Sequence, residues 1–179
     1  MDKVVGLPGQ EGYRGYSGTS VAMVTAVDAE GRADICTVGA WSLVNGVPPL
    51  YGIAMCTTSA GGNYFKRYTT TCIEQTGEFV INVPDDTLTK AWGICGSVSL
   101  TRDPQADKFA LANLTPAPAV RVKSPLIAEC PVNIECRVHS KHVLPSHDWI
   151  VGEPLAIHWA RDIIEGRRRL EWNRAPRVV

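Results

Sequence analysis

Apolar and polar positions along this chain repeat mostly every second residue, with a few short stretches at helical spacing. Val21 to Val27 is a β-branched apolar run closed by Asp28-Ala29-Glu30-Gly31, whose Asp and Gly supply turn geometry. The chain returns from Ala33 to Val38, so the two runs predict a hairpin. Gly39-Ala40-Trp41-Ser42 follows, and its small residues let the backbone approach a neighbour closely. Pro48-Pro49 stops any helix there, and Leu50 to Cys56 is continuously apolar, the pattern of a buried strand.

Thr57 to Asn63 is a small-residue loop. From Tyr64 to Thr76 the spacing turns helical, with Phe65, Tyr68, Cys72 and Ile73 on one face and Gly77 as the stop. Glu78 to Val83 predicts a strand, and Asp85 or Asp86 caps a short helix running toward Cys95 and closed by Gly96. Asp103-Pro104 predicts another short helix holding Asp107, Lys108 and Phe109, because an Asp cap satisfies free amides and proline loses nothing at the first helical position. After a proline-rich connection, Val132 to His139 alternates strictly and predicts a half-buried strand. Pro145-Ser146-His147-Asp148 makes a turn, and Trp149 to Trp159 returns as the hairpin partner. Cys130 and Cys136, six apart, could share one face of the alternating strand. Strands outnumber helices and the connections are too short for parallel crossovers. The expected fold is mainly β, an antiparallel barrel with a few short peripheral helices.

Composition narrows the class. With 179 residues and 45% hydrophobic content, the chain matches one compact domain, residues 1–179, with an N-terminal arm over 1–18 and a C-terminal tail over 160–179. Eighteen Lys plus Arg balance eighteen Asp plus Glu, so no net field draws the protein to nucleic acid or to an anionic membrane. Arg167-Arg168-Arg169 reads as a solvated tail. No apolar stretch before Gly18 is long enough for a leader or a membrane span, and the expectation is a cytoplasmic protein. The six cysteines are scattered without a Cys-x-x-Cys pair, which favours free buried thiols over disulfides or a metal.

Several stretches, in order, resemble the flavin reductase-like and flavoredoxin family. They are Thr37-Val38-Gly39-Ala40-Trp41-Ser42, Arg67-Tyr68-Thr69, Gly77 to Pro84, Cys95-Gly96-Ser97-Val98-Ser99, Asp107-Lys108-Phe109, Pro125 to Cys136, and His147 ahead of Gly152-Glu153. Each is weak alone; their order and spacing carry the resemblance from about Val21 to Trp159. It implies an FMN-binding split barrel, a Greek-key antiparallel barrel that forms a homodimer and holds FMN non-covalently near the subunit interface. In such proteins the flavin does the redox chemistry and the protein supplies placement and electrostatics.

The residues themselves offer a site. A flat isoalloxazine ring needs a wall that donates hydrogen bonds, and Thr37, Val38, Gly39, Ala40, Trp41 and Ser42 form either such a wall or an ordinary strand end with a tight turn. A phosphate tail wants hydroxyls, amides and a cation, which Cys56-Thr57-Thr58 and Arg67-Tyr68-Thr69 could provide, with Arg67 as the key group. Asn82, Ser97, Ser99 and Lys108 are secondary candidates, each with a structural alternative in a strand end, a turn or solvent. His147 sits at a hairpin tip; the resemblance implies a catalytic place near the exposed flavin face, where imidazole can donate to reduced flavin or orient a donor. Trp149, Trp159 and Trp172 read as core or dimer-contact residues, whereas Trp41 could stack on the flavin.

Two departures from the family stand out. Ser59-Ala60-Gly61-Gly62-Asn63 looks inserted, and Ala40 stands where many relatives carry tryptophan, which widens one side of the slot. No Gly-x-Gly-x-x-Gly follows a strand, so a nicotinamide must stack directly over the flavin. The expected activity is a flavin reductase taking electrons from NAD(P)H through FMN to free flavin or another acceptor. A flavoredoxin-like carrier serving a protein partner, and a flavin-binding module without turnover, are the alternatives.

Overall fold

The computed structural model describes residues 16–17, 21–57, 65–167 and 177–178. The β-branched runs form strands β2 (Ala22–Val27) and β3 (Ala33–Val38), preceded by a two-residue strand β1 (Tyr16–Ser17). Strand β4 (Trp41–Gly46) pairs with β5 (Pro49–Cys56), and helix α1 (Tyr68–Thr76) leads into β6 (Glu78–Val83). A 3-10 turn over Asp86–Leu88 continues into α2 (Thr89–Ser97), and α3 (Lys108–Leu111) follows. Short strands β7 (Pro116–Ala117) and β8 (Leu126–Ile127) precede the long pair β9 (Val132–Val143) and β10 (His147–Trp159); α4 (Arg161–Ile164) and β11 (Arg177–Val178) end the chain.

Seven strands make one antiparallel sheet in the order β3-β2-β6-β9-β10-β5-β4. The sheet curls into a barrel without closing. Its edges are β3 and β4, yet Gly39 and Ala40 lead directly from one to the other, and the Ala40 carbonyl accepts the Ala54 amide at 3.0 Å. The interior is filled by alternate residues of the strands, among them Val24, Cys36, Ile53, Met55, Phe79, Ile134 and Ile150, with Cys72 and Ile73 of α1 packed among them. The outer face of β2 and β3 is covered by α2, α3 and the following loop, through Met23, Ile35, Cys95, Phe109 and Ile127. The expected antiparallel barrel with peripheral helices is therefore what forms. Among the described residues, no helix is long and apolar enough to cross a membrane.

Several expected boundaries shift. Residues 65–67 lie outside the helix, with Arg67 extended, so Phe65 leaves the helix face and α1 starts after Arg67; Gly77 ends it in the left-handed conformation at φ 70°, as expected. Helix α2 runs through Gly96 to Ser97. Asp103-Pro104 starts no helix: Asp103 accepts the Gln105 amide in a turn, and Asp107 is the cap, its Oδ1 accepting from the Ala110 amide at 3.1 Å. Strand β4 was not expected, because glycine and two prolines interrupt its pattern, and Leu43, Val44 and the turn residue Val47 lie exposed. The N-terminal arm and C-terminal tail also carry structure, as β1 pairs antiparallel with β11.

The largest difference concerns β9. Its polar face was expected to meet solvent, yet Asn133 and Glu135 are buried. The segment from Pro116 to Ile127 lies across that face as a strap. Glu135 accepts the amides of Val120, Arg121 and Val122 at 2.7–3.1 Å and pairs with His158 at 2.5 Å. A carboxylate without solvent survives there because four donors replace its water. Cys136 belongs to the barrel interior and Cys130 to the outer cluster, so the two thiols share no face. All six cysteines are free.

Candidate functional site

A cavity of about 240 Å³ opens where the barrel fails to close. One wall is the end of edge strand β3, Cys36 to Gly39; the other is Ala54 and Cys56 of β5 with His147 of β10; Phe65 and Arg67 stand at one end. The sheet register explains the second wall. His147 is paired with Cys56, and Ala54 lies two residues from Cys56 on the same strand face.

Three groups build the first wall. Thr37 gives its hydroxyl to the Trp92 carbonyl at 2.6 Å, which fixes the end of β3 against α2. At Gly39 an added Cβ would meet no heavy atom of the described residues within 4 Å. Beneath the wall, Lys108 is 3% exposed, ion-paired to Asp34 at 2.9 Å and bonded to the Ile35 carbonyl, so it caps the free edge of β3. Asp34 also accepts the Thr69 hydroxyl at 2.6 Å, which ties α1 to the same edge.

At the end of the cavity, the Arg67 amide bonds the Cys56 carbonyl at 3.2 Å. Its guanidinium lies 4.8 Å from the centre of the Phe65 ring and gives Nη2 to the Gly96 carbonyl at 2.6 Å. Its other terminal nitrogen, Nη1, is buried with no hydrogen-bond partner among the described residues. A buried donor left unpaired costs roughly 1–3 kcal/mol, more for a charged one. Arg67 lines the cavity, so its guanidinium sets a positive charge at that end.

Burial pushes the Cys36 thiol up to about 11, against the pull of Arg67 and Lys108, and it raises the Cys56 thiol as well. Both stay protonated near neutral pH and serve as small apolar wall, not as nucleophiles. Burial lowers the His147 pKa below its ordinary 6.5, so the ring is neutral at pH 7; its Nδ1 lies 2.8 Å from the Ser146 hydroxyl.

Of the residues singled out from the sequence, Thr37, Val38, Gly39, Cys56, Arg67 and His147 meet in this cavity. Ala40 and Trp41 continue from its rim into the closure of the barrel, and Ser42 points its hydroxyl to the Leu43 carbonyl on an exposed strand. Thr57 follows directly, its amide bonded to the Ser146 carbonyl, while Thr58 lies outside the described residues, as do the 59–63 loop and Trp172. Tyr68 gives its hydroxyl to Asp28 at 2.7 Å, away from the cavity. Asn82 is buried on the strap side, bonded to Met23, Thr25, Ile127 and Asn133. Ser97 bonds back to Gly93, and Ser99 is buried in the turn after α2, where it accepts the Thr101 amide. Thr69 and Lys108 sit behind the wall, as described. Sequence reasoning missed Cys36, Ala54 and Phe65. Period-two spacing from Cys56 could have found Ala54; Phe65 was hidden by its assignment to the helix. Among the described residues, no group of three or more His, Cys, Asp or Glu is placed to hold a metal.

The fold and the cavity together define a split antiparallel barrel with a cleft at its seam, bounded by small residues and a half-buried arginine. The family model for the flavin reductase like domain matches residues 14–175, and the chain belongs to that family, among flavin-related oxidoreductases. A Pyrococcus abyssi protein of uncharacterized function is 30% identical over 167 residues, covering 91% of this chain and 87% of its own. An Archaeoglobus fulgidus protein is 36% identical over 92 residues, and the chain spans only half of its length. Among solved structures, the flavoredoxin of Desulfovibrio vulgaris (Miyazaki F) has the same fold, with TM-score 0.74 at 21% identity over 100% of this chain and 93% of that one. The flavoredoxin of Methanosarcina acetivorans gives TM-score 0.73 at 24% identity over 100% and 92%. An NADH:FAD oxidoreductase of Streptomyces globisporus gives 0.65 at 19% identity over 79% and 75%.

Proposed function

We propose that the seam cavity holds one FMN and that the protein is an NAD(P)H-dependent flavin reductase, passing electrons to free flavin or another small acceptor. The observation that carries this reading is Arg67 at the end of the cleft, its Nη1 buried with no hydrogen-bond partner among the described residues. These residues fit the group. Arg67 would take the phosphate and the backbone of Thr37 to Gly39 would border the ring. When bound, FMN supplies reversible one- and two-electron chemistry that no side chain of this chain provides. The protein's own part is placement: Phe65 keeps water from the anion, and the neutral His147 on the opposite wall offers hydrogen bonding toward the ring's exposed edge.

A second copy of the chain completes the site in this reading. Small-molecule sites commonly enclose roughly 300–1,000 Å³. About 240 Å³ from one chain is a partial wall, and the exposed β4 hairpin, with Leu43, Val44 and Val47, borders it and offers apolar surface for a homodimer. Anaerobic mixing of the FMN-loaded protein with NADH or NADPH tests the activity. Bleaching of the flavin within the turnover time supports the reductase. Bleaching only by a reduced protein partner makes the chain a flavoredoxin-like carrier.

A further inference from the structure

The β10 wall of the cavity continues past the residues that line it. His147, Trp149 and Val151 lie opposite Cys56, Ala54 and Gly52 in the sheet register, so these positions share one face of the β5–β10 pair. Cys56, His147 and Ala54 line the cavity, and Trp149 and Gly52 come next along that face. Trp149 is paired with Ala54, yet its indole lies over Gly52. A Cβ added at Gly52 would stand 2.3 Å from Cζ2, 2.5 Å from Cε2 and 2.7 Å from Nε1 of that ring. Any side chain at position 52 would therefore drive the ring off the backbone. The lean toward Gly52 leaves Ala54 open to the cavity and sets a half-buried indole beside it.

An indole seated on backbone next to a cavity is a stacking surface for a planar ring. Its surroundings narrow the class of ring. Ser42 lies opposite Gly52 on β4, and His142 and Ser140 lie opposite Trp149 and Val151 on β9, so these neighbouring positions of the face carry no Lys, Arg, Asp or Glu. Arg67 is tied to Cys56, four residues further along β5, a distance of roughly 13 Å in an extended strand. The surface around Trp149 thus offers apolar contact and neutral hydrogen bonding, and it suits an uncharged ring better than one carrying a phosphate tail.

We infer that Trp149, seated on Gly52, is the specificity-determining contact for the electron acceptor, and that this acceptor is an uncharged planar ring of the quinone class. This rests on the flavin reading of the cavity. A quinone takes up two electrons and two protons and leaves as the hydroquinone. NAD(P)H and one solvent proton supply them by way of the bound flavin, with one NAD(P)+ formed per hydroquinone.

The test uses FMN-loaded protein, photoreduced without oxygen and mixed by stopped flow with menadione, an uncharged naphthoquinone, or with ferricyanide, an octahedral anion with no ring to stack. For Trp149→Leu the half-saturating menadione concentration is expected to rise about tenfold, with the limiting rate and the ferricyanide rate changed less than about twofold; Trp149→Phe, which keeps a ring, restores most of the loss. Gly52→Ala displaces the indole without removing it and is expected to show the same selective loss. Equal slowing with both acceptors, unchanged menadione saturation in Trp149→Leu or Gly52→Ala, or a wild type that ferricyanide reoxidises and menadione does not, overturns the inference and leaves the flavin reading intact. A Trp149→Leu protein that no longer retains FMN also overturns it, because the indole then serves the cofactor. If wild type binds no FMN, the flavin reading itself fails.

Discussion

At the scale of single residues, the site depends on Arg67, whose position is set three ways: its amide on Cys56, Nη2 on Gly96, and its plane against Phe65. Arg67→Ala is expected to weaken FMN by tenfold or more, a loss of at least about 1.4 kcal/mol, while leaving the melting temperature within a few degrees, since it removes an unsatisfied buried donor together with one good hydrogen bond. Titration and thermal melting read the two effects separately. His147 gives a pH prediction with a definite sign. Its folded pKa lies below 6.5, so the folded state binds fewer protons than the unfolded chain between those two values. Stability therefore falls as pH drops from about 6.5 toward the folded pKa, and His147→Gln should flatten that part of the melting profile. Both residues were legible in the sequence, Arg67 by its motif and His147 by its place before the Gly-Glu strand. Cys36, Ala54 and Phe65 were not, because their role is fixed by which strands meet across the seam, and that is a property of the fold rather than of local spacing.

Elements show the same division. Hairpin β2-β3, strand β6 and hairpin β9-β10 follow from period two and turn residues, and the end of α1 from Gly77. Strand β4 did not, since its residues are exposed and its hairpin turn contains proline. The polar face of β9 misled in an instructive way. Alternation there marks a buried polar network, with Glu135 bound to the strap and Asn133 bonded to Asn82. Burial opposes ionisation of Glu135, but the Val120 amide, His158 and the amides of Arg121 and Val122 outweigh it and hold the carboxyl below its ordinary value. Glu135→Gln is expected to destabilise by roughly 1–3 kcal/mol at pH 7, because an amide cannot accept from all four donors. The difference should shrink as pH falls through the folded pKa of Glu135, where wild type loses the same charge. Packing gives a sharper case in β10. A Cβ on Gly152 would lie 2.5 Å from Phe79 Cζ and 3.0 Å from Cys136 Cβ, both fully buried. Gly152→Ala should cost about 1–3 kcal/mol, read as a fall in denaturant midpoint.

At the scale of the whole molecule, a curled sheet that stays open between β3 and β4 creates both the cleft and an unpaired edge. The free edge of β3 is capped by Lys108 and flanked by α2, while that of β4 presents apolar residues to solvent. The homodimer proposed above would bury the β4 side. Sedimentation equilibrium of wild type against Leu43→Lys, Val44→Lys is expected to show a dimer converted to monomer, with FMN affinity falling alongside; a monomeric wild type that binds FMN fully would separate the two ideas. The barrel class was readable from strand count and connection length, whereas the seam, and hence the cavity, required the register of β5 with β10.

The most direct measurement is the visible absorption of the purified protein after incubation with excess FMN and removal of the unbound portion, for wild type and Arg67→Ala side by side. A yellow wild type retaining close to one FMN per chain, with an Arg67→Ala protein that washes colourless, is the predicted result. A folded wild type that stays colourless, or an Arg67→Ala protein retaining FMN as tightly as wild type, would contradict the account.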